Sequence, residues 1–210
     1  MRISIIGTGN VGGALGTGWA RAGNEVIFGT RDPKAADAAE MVSGLKNAKV
    51  MSVADSVTAA DVVALAVPWG AVPAALGPLA NALAGKILID CTNPTTQWPK
   101  MDHALGSGGE QVARLAPKAR VVKCFNTTGA GNMRNPKYGS DAVTMFYAGD
   151  DAAAKKLVHG LAGDLGFDPV DAGGLDQSFT LEIVASLWGT LSYTQKMGMN
   201  IAFRLMRRTD

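Results

Sequence analysis

Ile3-Ser4-Ile5-Ile6-Gly7-Thr8-Gly9-Asn10-Val11-Gly12 opens the chain, and Phe28-Gly29-Thr30-Arg31 follows about twenty residues on. The first stretch is an apolar strand that runs through G-x-G-x-x-G into a helix. Gly7 allows the tight turn, Gly9 lets backbone approach a pyrophosphate, and Gly12 lets the helix pack close to the strands. The N–H groups of Thr8 to Val11 then face an anion from a helix N-terminus, where the dipole favours negative charge. G-x-G-x-x-G alone is a weak signal, but here the strand before it and the helix after it supply the required context. A dinucleotide is the expected ligand.

The second stretch sits where such a fold inspects the adenosine ribose. A chain that binds NAD usually places Asp or Glu there, to hold the free 2′-hydroxyl. This chain has Thr30 and Arg31, with Lys34 one turn further on. Arg offers a planar fork to a 2′-phosphate, Thr a hydroxyl and Lys a point charge, so NADP(H) is expected. The competing reading is a solvated, charged helix start. Asp32 is expected to cap the helix that follows.

Working outward, strands and helices alternate. Apolar runs predict strands over residues 2–6, 26–28, 49–52, 61–67, 86–90, 120–124, 143–148 and 167–170. Helical patterns lie between them at 11–22, 33–43, 71–83, 110–115 and 152–165. Strands separated by helices of this length predict an α/β fold, a Rossmann-type doubly wound and mostly parallel sheet. Residues 1–172 are expected to form the NADP-binding domain. Residues 173–210 are expected to form a short C-terminal helical segment packed on it, helical from about Ser178 to Arg207. In that segment Leu181, Val184, Leu187, Trp188 and Leu191 share one face. That face either packs on the main domain or forms a homodimer interface, and the two readings are compatible.

The 210 residues are 47% hydrophobic and 18% charged, enough to bury a core and too apolar for disorder. The net charge of +2 is spread along the chain, so no nucleic-acid partner is expected. Arg204, Arg207 and Arg208 read as a solvated end rather than an anion-binding surface. No signal peptide is visible and no apolar run reaches membrane-spanning length, so no membrane contact and a cytoplasmic location are expected. Cys91 and Cys124 have neither disulfide-scaffold nor metal-ligand spacing; no metal is expected, and both read as reduced and packed.

In doubly wound sheets ligands lie beyond the carboxyl ends of the strands. Val67-Pro68-Trp69 ends the fourth strand and should run along the cofactor. There Trp69 either covers an aromatic ring of the ligand or simply packs. Asp90-Cys91-Thr92-Asn93-Pro94 and Phe125-Asn126-Thr127-Thr128-Gly129-Ala130 follow the next two strands. Both should reach the nicotinamide end, where amides and hydroxyls can fix the carboxamide. Residues 91–109 are long for a connection and read as a functional loop.

These motifs, with Gly149-Asp150-Asp151 and Asp171-Ala172-Gly173, resemble the family of coenzyme F420-dependent NADP reductases. That family also contains the cytoplasmic domain of the STEAP metalloreductases. The resemblance runs over nearly the whole chain. It implies NADP at Thr8–Val11, Thr30, Arg31 and Lys34, and backbone contacts to nicotinamide around Thr128 and Ala130. It also implies a deazaflavin or flavin stacked beside Asn126 and the C-terminal segment. The archaeal-type deazaflavin reductases carry His where Asn126 stands, so coenzyme F420, FAD, FMN or an unrelated acceptor all remain open.

Hydride transfer between two stacked rings needs little acid–base help from protein. No catalytic side chain is assigned from sequence, and no paired acids with a nearby His are expected. His103 in the loop is a candidate proton donor; His159 is expected on a solvated helix face. The expected function is an NADP(H)-dependent oxidoreductase with a deazaflavin or flavin acceptor. The alternatives are a reductase of a small imine or keto substrate, and a non-catalytic NADPH-sensing module.

Overall fold

A computed structural model describes residues 1–208. Thr209 and Asp210, the last two residues of the expected C-terminal segment, lie outside the described residues. Strand β1 (Arg2–Ile6) leads into α1 (Asn10–Arg21), then β2 (Glu25–Thr30), α2 (Ala36–Met41) and β3 (Ala48–Ser52). Helix α3 (Val53–Ala59), β4 (Val62–Leu65), α4 (Val72–Leu76) and β5 (Ile87–Asp90) follow. After a long loop come α5 (Gly108–Leu115), β6 (Arg120–Lys123), α6 (Ala130–Arg134) and a small hairpin of β7 (Lys137–Tyr138) and β8 (Asp141–Ala142). The chain closes with β9 (Thr144–Gly149), α7 (Ala152–Asp164), β10 (Asp168–Asp171) and α8 (Ser178–Gly189).

The main sheet has eight strands in the order β10-β9-β6-β5-β4-β1-β2-β3. From β3 to β6 every pairing is parallel, as is β9 with β10. Within this sheet, among the described residues, only β6 and β9 pair antiparallel, at Val122 with Gly149 and Lys123 with Ala148. The reason lies in the connection. After β6 the chain makes one short helix and a hairpin without crossing back beneath the sheet, so β9 must run the opposite way.

Both faces of the sheet are covered, which is why its central strands are continuous apolar runs. Strand alternation sends Ile3 and Ile5 to one face and Ile6 to the other. The first face forms a core with Leu15, Trp19, Phe28, Val122 and Val158 under α1 and α7. The second forms a core with Val63, Leu65, Leu76, Leu88 and Val112 under α4 and α5. Trp19 is fully buried and donates its indole N–H to the Leu161 carbonyl at 2.9 Å, which stitches α1 to α7.

Several expectations are corrected. The helix expected over 33–43 starts only at Ala36, and Asp32 does not cap it. Its Oδ1 instead accepts the Lys34 N–H at 3.0 Å, closing a local turn. The helix expected over 71–83 is broken into α4 flanked by two 3₁₀ turns, because Gly77-Pro78 interrupts the helical hydrogen bonding. The C-terminal helix ends far short of Arg207. A π-helical turn follows at Thr190–Thr194, and Lys196 and Gly198 then take φ of 56° and 81°. Beyond them the described chain, through residue 208, is non-helical. It lies beside the start of β9, where the Thr144 N–H donates to the Phe203 carbonyl at 3.0 Å.

Candidate functional site

The carboxyl ends of β1, β2, β4, β5 and β6 share one edge of the sheet, and the loops leaving them line it. The turn after β1 is built as its glycines suggest. Gly7 has φ 98°, and a Cβ there would come 2.5 Å from the Ala66 carbonyl oxygen at the end of β4. A Cβ on Gly12 would collide with the Gly7 carbonyl oxygen. A Cβ on Gly9 would meet nothing within 4 Å and would point into open space above the turn. Helix α1 starts at Asn10 with no side-chain cap and no acid in its first turn. Its first N–H groups therefore present an uncompensated positive dipole end.

Thr30 ends β2, and its hydroxyl oxygen is buried with no hydrogen-bond partner among the described residues. Such an orphan needs an explanation, and a 2′-phosphate acceptor placed by the exposed Arg31 and Lys34 supplies one. The open space at Gly9 and the orphan at Thr30 fit a phosphorylated dinucleotide. Val67 and Trp69 are half-buried and Pro68 exposed along the same edge. Trp69 packs on one side and keeps part of its surface open, which is compatible with both readings of it. Its ring lies 3.3 Å from where a Gly108 Cβ would stand, against the start of α5.

At the far end, Asn93 and Asn126 grip each other across β5 and β6. Asn93 Nδ2 donates to the Asn126 carbonyl at 3.0 Å, and Asn126 Nδ2 donates to Asn93 Oδ1 at 3.1 Å. Asn126 Oδ1 is buried and has no partner among the described residues, so it is the acceptor left for a ligand N–H. Phe125, just before it, holds φ 59°, a left-handed conformation that costs a non-glycine residue about 1–2 kcal/mol. The buried ring is fixed edge-on against Trp19 at 5.5 Å and Phe167 at 6.2 Å. Core packing thus holds the strained turn that aims Asn126.

Thr128 and Ala130 continue this wall, and the C-terminal segment backs it. Trp188 packs so closely on Gly129 that a Cβ there would stand 2.7 Å from its ring. Trp188 Nε1 and Asn132 Nδ2 both donate to the Ile201 carbonyl at 2.8 Å, and Asn132 Nδ2 also donates to Thr128 Oγ1 at 2.7 Å. Beside them a largely apolar cavity of about 410 Å³ is walled by Tyr138, Val143, Trp188, Leu191, Ile201 and Phe203.

One expectation fails outright: paired acids with a nearby His do exist. Lys123 is fully buried, with Nζ 2.9 Å from Asp90 Oδ2 and 2.8 Å from Glu182 Oε1. Glu182 Oε2 lies 2.8 Å from His103 Nε2. Burial works against the Lys123 ammonium, but the two carboxylates outweigh it and its pKa is raised. The signal in sequence was a lysine in the apolar strand Val121-Val122-Lys123-Cys124 and a lone acid, Glu182, in the apolar helix α8. Cys91 and Cys124 are free and buried just beyond the Asp90–Lys123 register, and burial pushes both thiols up. Among the described residues no group of three or more His, Cys, Asp or Glu could hold a metal ion. No described helix is long and apolar enough to cross a membrane.

Comparison with known proteins gives a consistent result. Residues 2–94 match the family model described as NADP oxidoreductase, coenzyme F420-dependent. The F420-dependent NADP reductase of Methanothermobacter marburgensis is 32% identical over 203 residues, covering 89% of this chain and 90% of its own. Metalloreductase STEAP3 of Rattus norvegicus is 33% identical over 186 residues. This chain spans 36% of that longer protein. A solved structure from Arthrobacter sp. FB24, provisionally named an F420-dependent NADP-reductase, is 33% identical with a TM-score of 0.89. The match covers 99% of this chain and 100% of that one.

Proposed function

Since the chain belongs to the family of coenzyme F420-dependent NADP oxidoreductases, an enzyme family, we propose that it passes a hydride between NADPH and a deazaflavin or flavin ring. The observation that carries this reading is the Asn93–Asn126 pair with its orphaned Oδ1. It lies past the carboxyl ends of β5 and β6, at the opposite end of the edge from Thr30 and Arg31. When bound, the nicotinamide would give or take the hydride.

The protein's own residues hold and orient. The N–H groups opening α1 take the pyrophosphate, and Thr30, Arg31 and Lys34 take the 2′-phosphate. Asn126 Oδ1 accepts an N–H of the nicotinamide carboxamide. The Thr128–Ala130 backbone, braced by Trp188, supports one side of the ring. The largely apolar cavity beside Trp188 offers a planar acceptor a surface to lie against. Absorbance after rapid mixing of NADPH with coenzyme F420, FAD or FMN tests the reading. Fast NADPH oxidation by one of them is expected; binding of NADPH with no turnover of any would overturn the acceptor assignment.

A cytoplasmic location and a homodimer go with this reading. Phe179, Ile183 and Leu187 form an exposed apolar stripe on α8 that a second copy would cover. Sedimentation equilibrium should give twice the monomer mass of 21.7 kDa.

A further inference from the structure

Behind the Asn93–Asn126 pair lies a group of charges with no solvent access and no evident part in holding a dinucleotide. Asp90, Lys123 and Glu182 are fully buried. Lys123 Nζ reaches both carboxylates and also the Thr92 carbonyl at 2.7 Å. Asp90 Oδ1 accepts the Thr92 N–H at 2.9 Å and its hydroxyl at 2.6 Å. Thr92 is therefore fixed by its N–H, carbonyl and side chain at once, and Asn93 is the next residue.

Glu182 extends the group away from the sheet. Besides Lys123 it accepts the Gly108 and Gly109 N–H groups at 3.1 and 3.2 Å, which close the N-terminus of α5. It also meets His103 in the loop after β5, whose ring lies against Phe179 with centroids 4.3 Å apart. A buried ion pair is poor value as a source of net stability, because desolvation offsets most of the attraction. What this one joins is more specific: the ends of β5 and β6, the start of α5, α8 and the long loop.

We propose that Lys123, Glu182 and His103 are positioning residues that form a clasp, holding the Thr92–Asn93 and Asn126 segments and the 91–107 loop in the geometry that receives the nicotinamide. The proposal rests on the nicotinamide placement given above. Asp90 and Lys123 each lie three residues before the asparagine they steady, on strands in register. The clasp therefore acts on both asparagines from below, and through His103 on the loop from outside.

The test compares wild type with Glu182→Gln, His103→Ala and His103→Gln. Lys123→Met would strand two buried carboxylates and is not needed. Two ligands are titrated: NADPH, and 2′-phospho-ADP-ribose, which keeps the phosphates but lacks nicotinamide. Amide hydrogen exchange is followed in the unliganded proteins. In Glu182→Gln and His103→Ala, exchange should quicken over residues 92–107 and 126–129 but not over 7–12. NADPH affinity should fall about tenfold, as for a lost charge-assisted hydrogen bond, while 2′-phospho-ADP-ribose binds as before. His103→Gln keeps an N–H that can reach Glu182 and should stay close to wild type. Equal weakening of both ligands, or unchanged exchange over 92–107, would overturn the clasp. If wild type binds NADPH no better than 2′-phospho-ADP-ribose, the nicotinamide placement fails instead, and the exchange data decide the clasp alone.

Discussion

On the proposed reading, two adjacent residues, Thr30 and Arg31, set the choice of cofactor. A 2′-phosphate carries close to two charges, and only a cation at the end of β2 makes its burial worthwhile. Arg31→Ala should weaken NADPH binding by about 1.5–3 kcal/mol, the range for a hydrogen bond to a charged group. NADH binding should barely change. Fluorescence titration of both cofactors checks this, and equal losses would mean that Arg31 does not read the phosphate. Asp32, next in line, was misread because an Asx turn and a helix cap look alike in sequence. Both use a short side chain that accepts a hydrogen bond from backbone just after it, and only the path of Pro33-Lys34-Ala35 separates them.

At the scale of the element, the glycine turn and α1 separate binding from folding. A Cβ on Gly12 has no room against the Gly7 carbonyl, so Gly12→Ala should cost about 1–3 kcal/mol of stability, as overpacking does. A Cβ on Gly9 meets open space, so Gly9→Ala should keep the melting temperature within a few degrees. It should nonetheless weaken NADPH about tenfold or more by filling the phosphate position. Thermal melts beside titrations distinguish the two. This turn was legible in sequence because its demands are local. The same holds for β1, read as residues 2–6 and found there. What escaped was either short or distant. Helices α3 and α6 and the β7–β8 hairpin have seven, five and two-plus-two residues, too few for a period to register. The clasp spans Asp90 to Glu182, and nothing local ties His103 to a partner 79 residues away. Only the oddity of Lys123 after two valines and of Glu182 in an otherwise uncharged helix pointed to it.

Across the whole molecule, the C-terminal segment is secured by few bonds to the wall it backs. Asn132 carries much of this, reaching Thr128, Tyr138 and Ile201 together. Asn132→Ala should leave the Ile201 carbonyl with one donor and Thr128 unbraced, at about 1–3 kcal/mol for buried groups left unpaired. Limited proteolysis should then cut residues 195–208 faster than in wild type, while residues 1–120 remain protected. The sheet order could be anticipated as mostly parallel, but the reversal at β9 could not. It depends on how the chain travels after Asn126, through an α6 too short to be seen in advance.

That reversal has a consequence for how the protein can change. Because β9 runs against β6, its beginning rather than its end stands at the ligand edge, together with the hairpin that feeds it. The dinucleotide half of the cleft is made from strand exits, whereas the opposite half is made from residues 130–143 entering a strand and from the tail beside them. The two sides of that edge thus come from different chain segments, joined through Asn132, Trp188 and Ile201. On the proposed reading, a cassette exchanged over 135–143, beyond Ala130 and Asn132, would alter the acceptor side while sparing the residues that hold the donor, a route by which one scaffold can meet different electron acceptors.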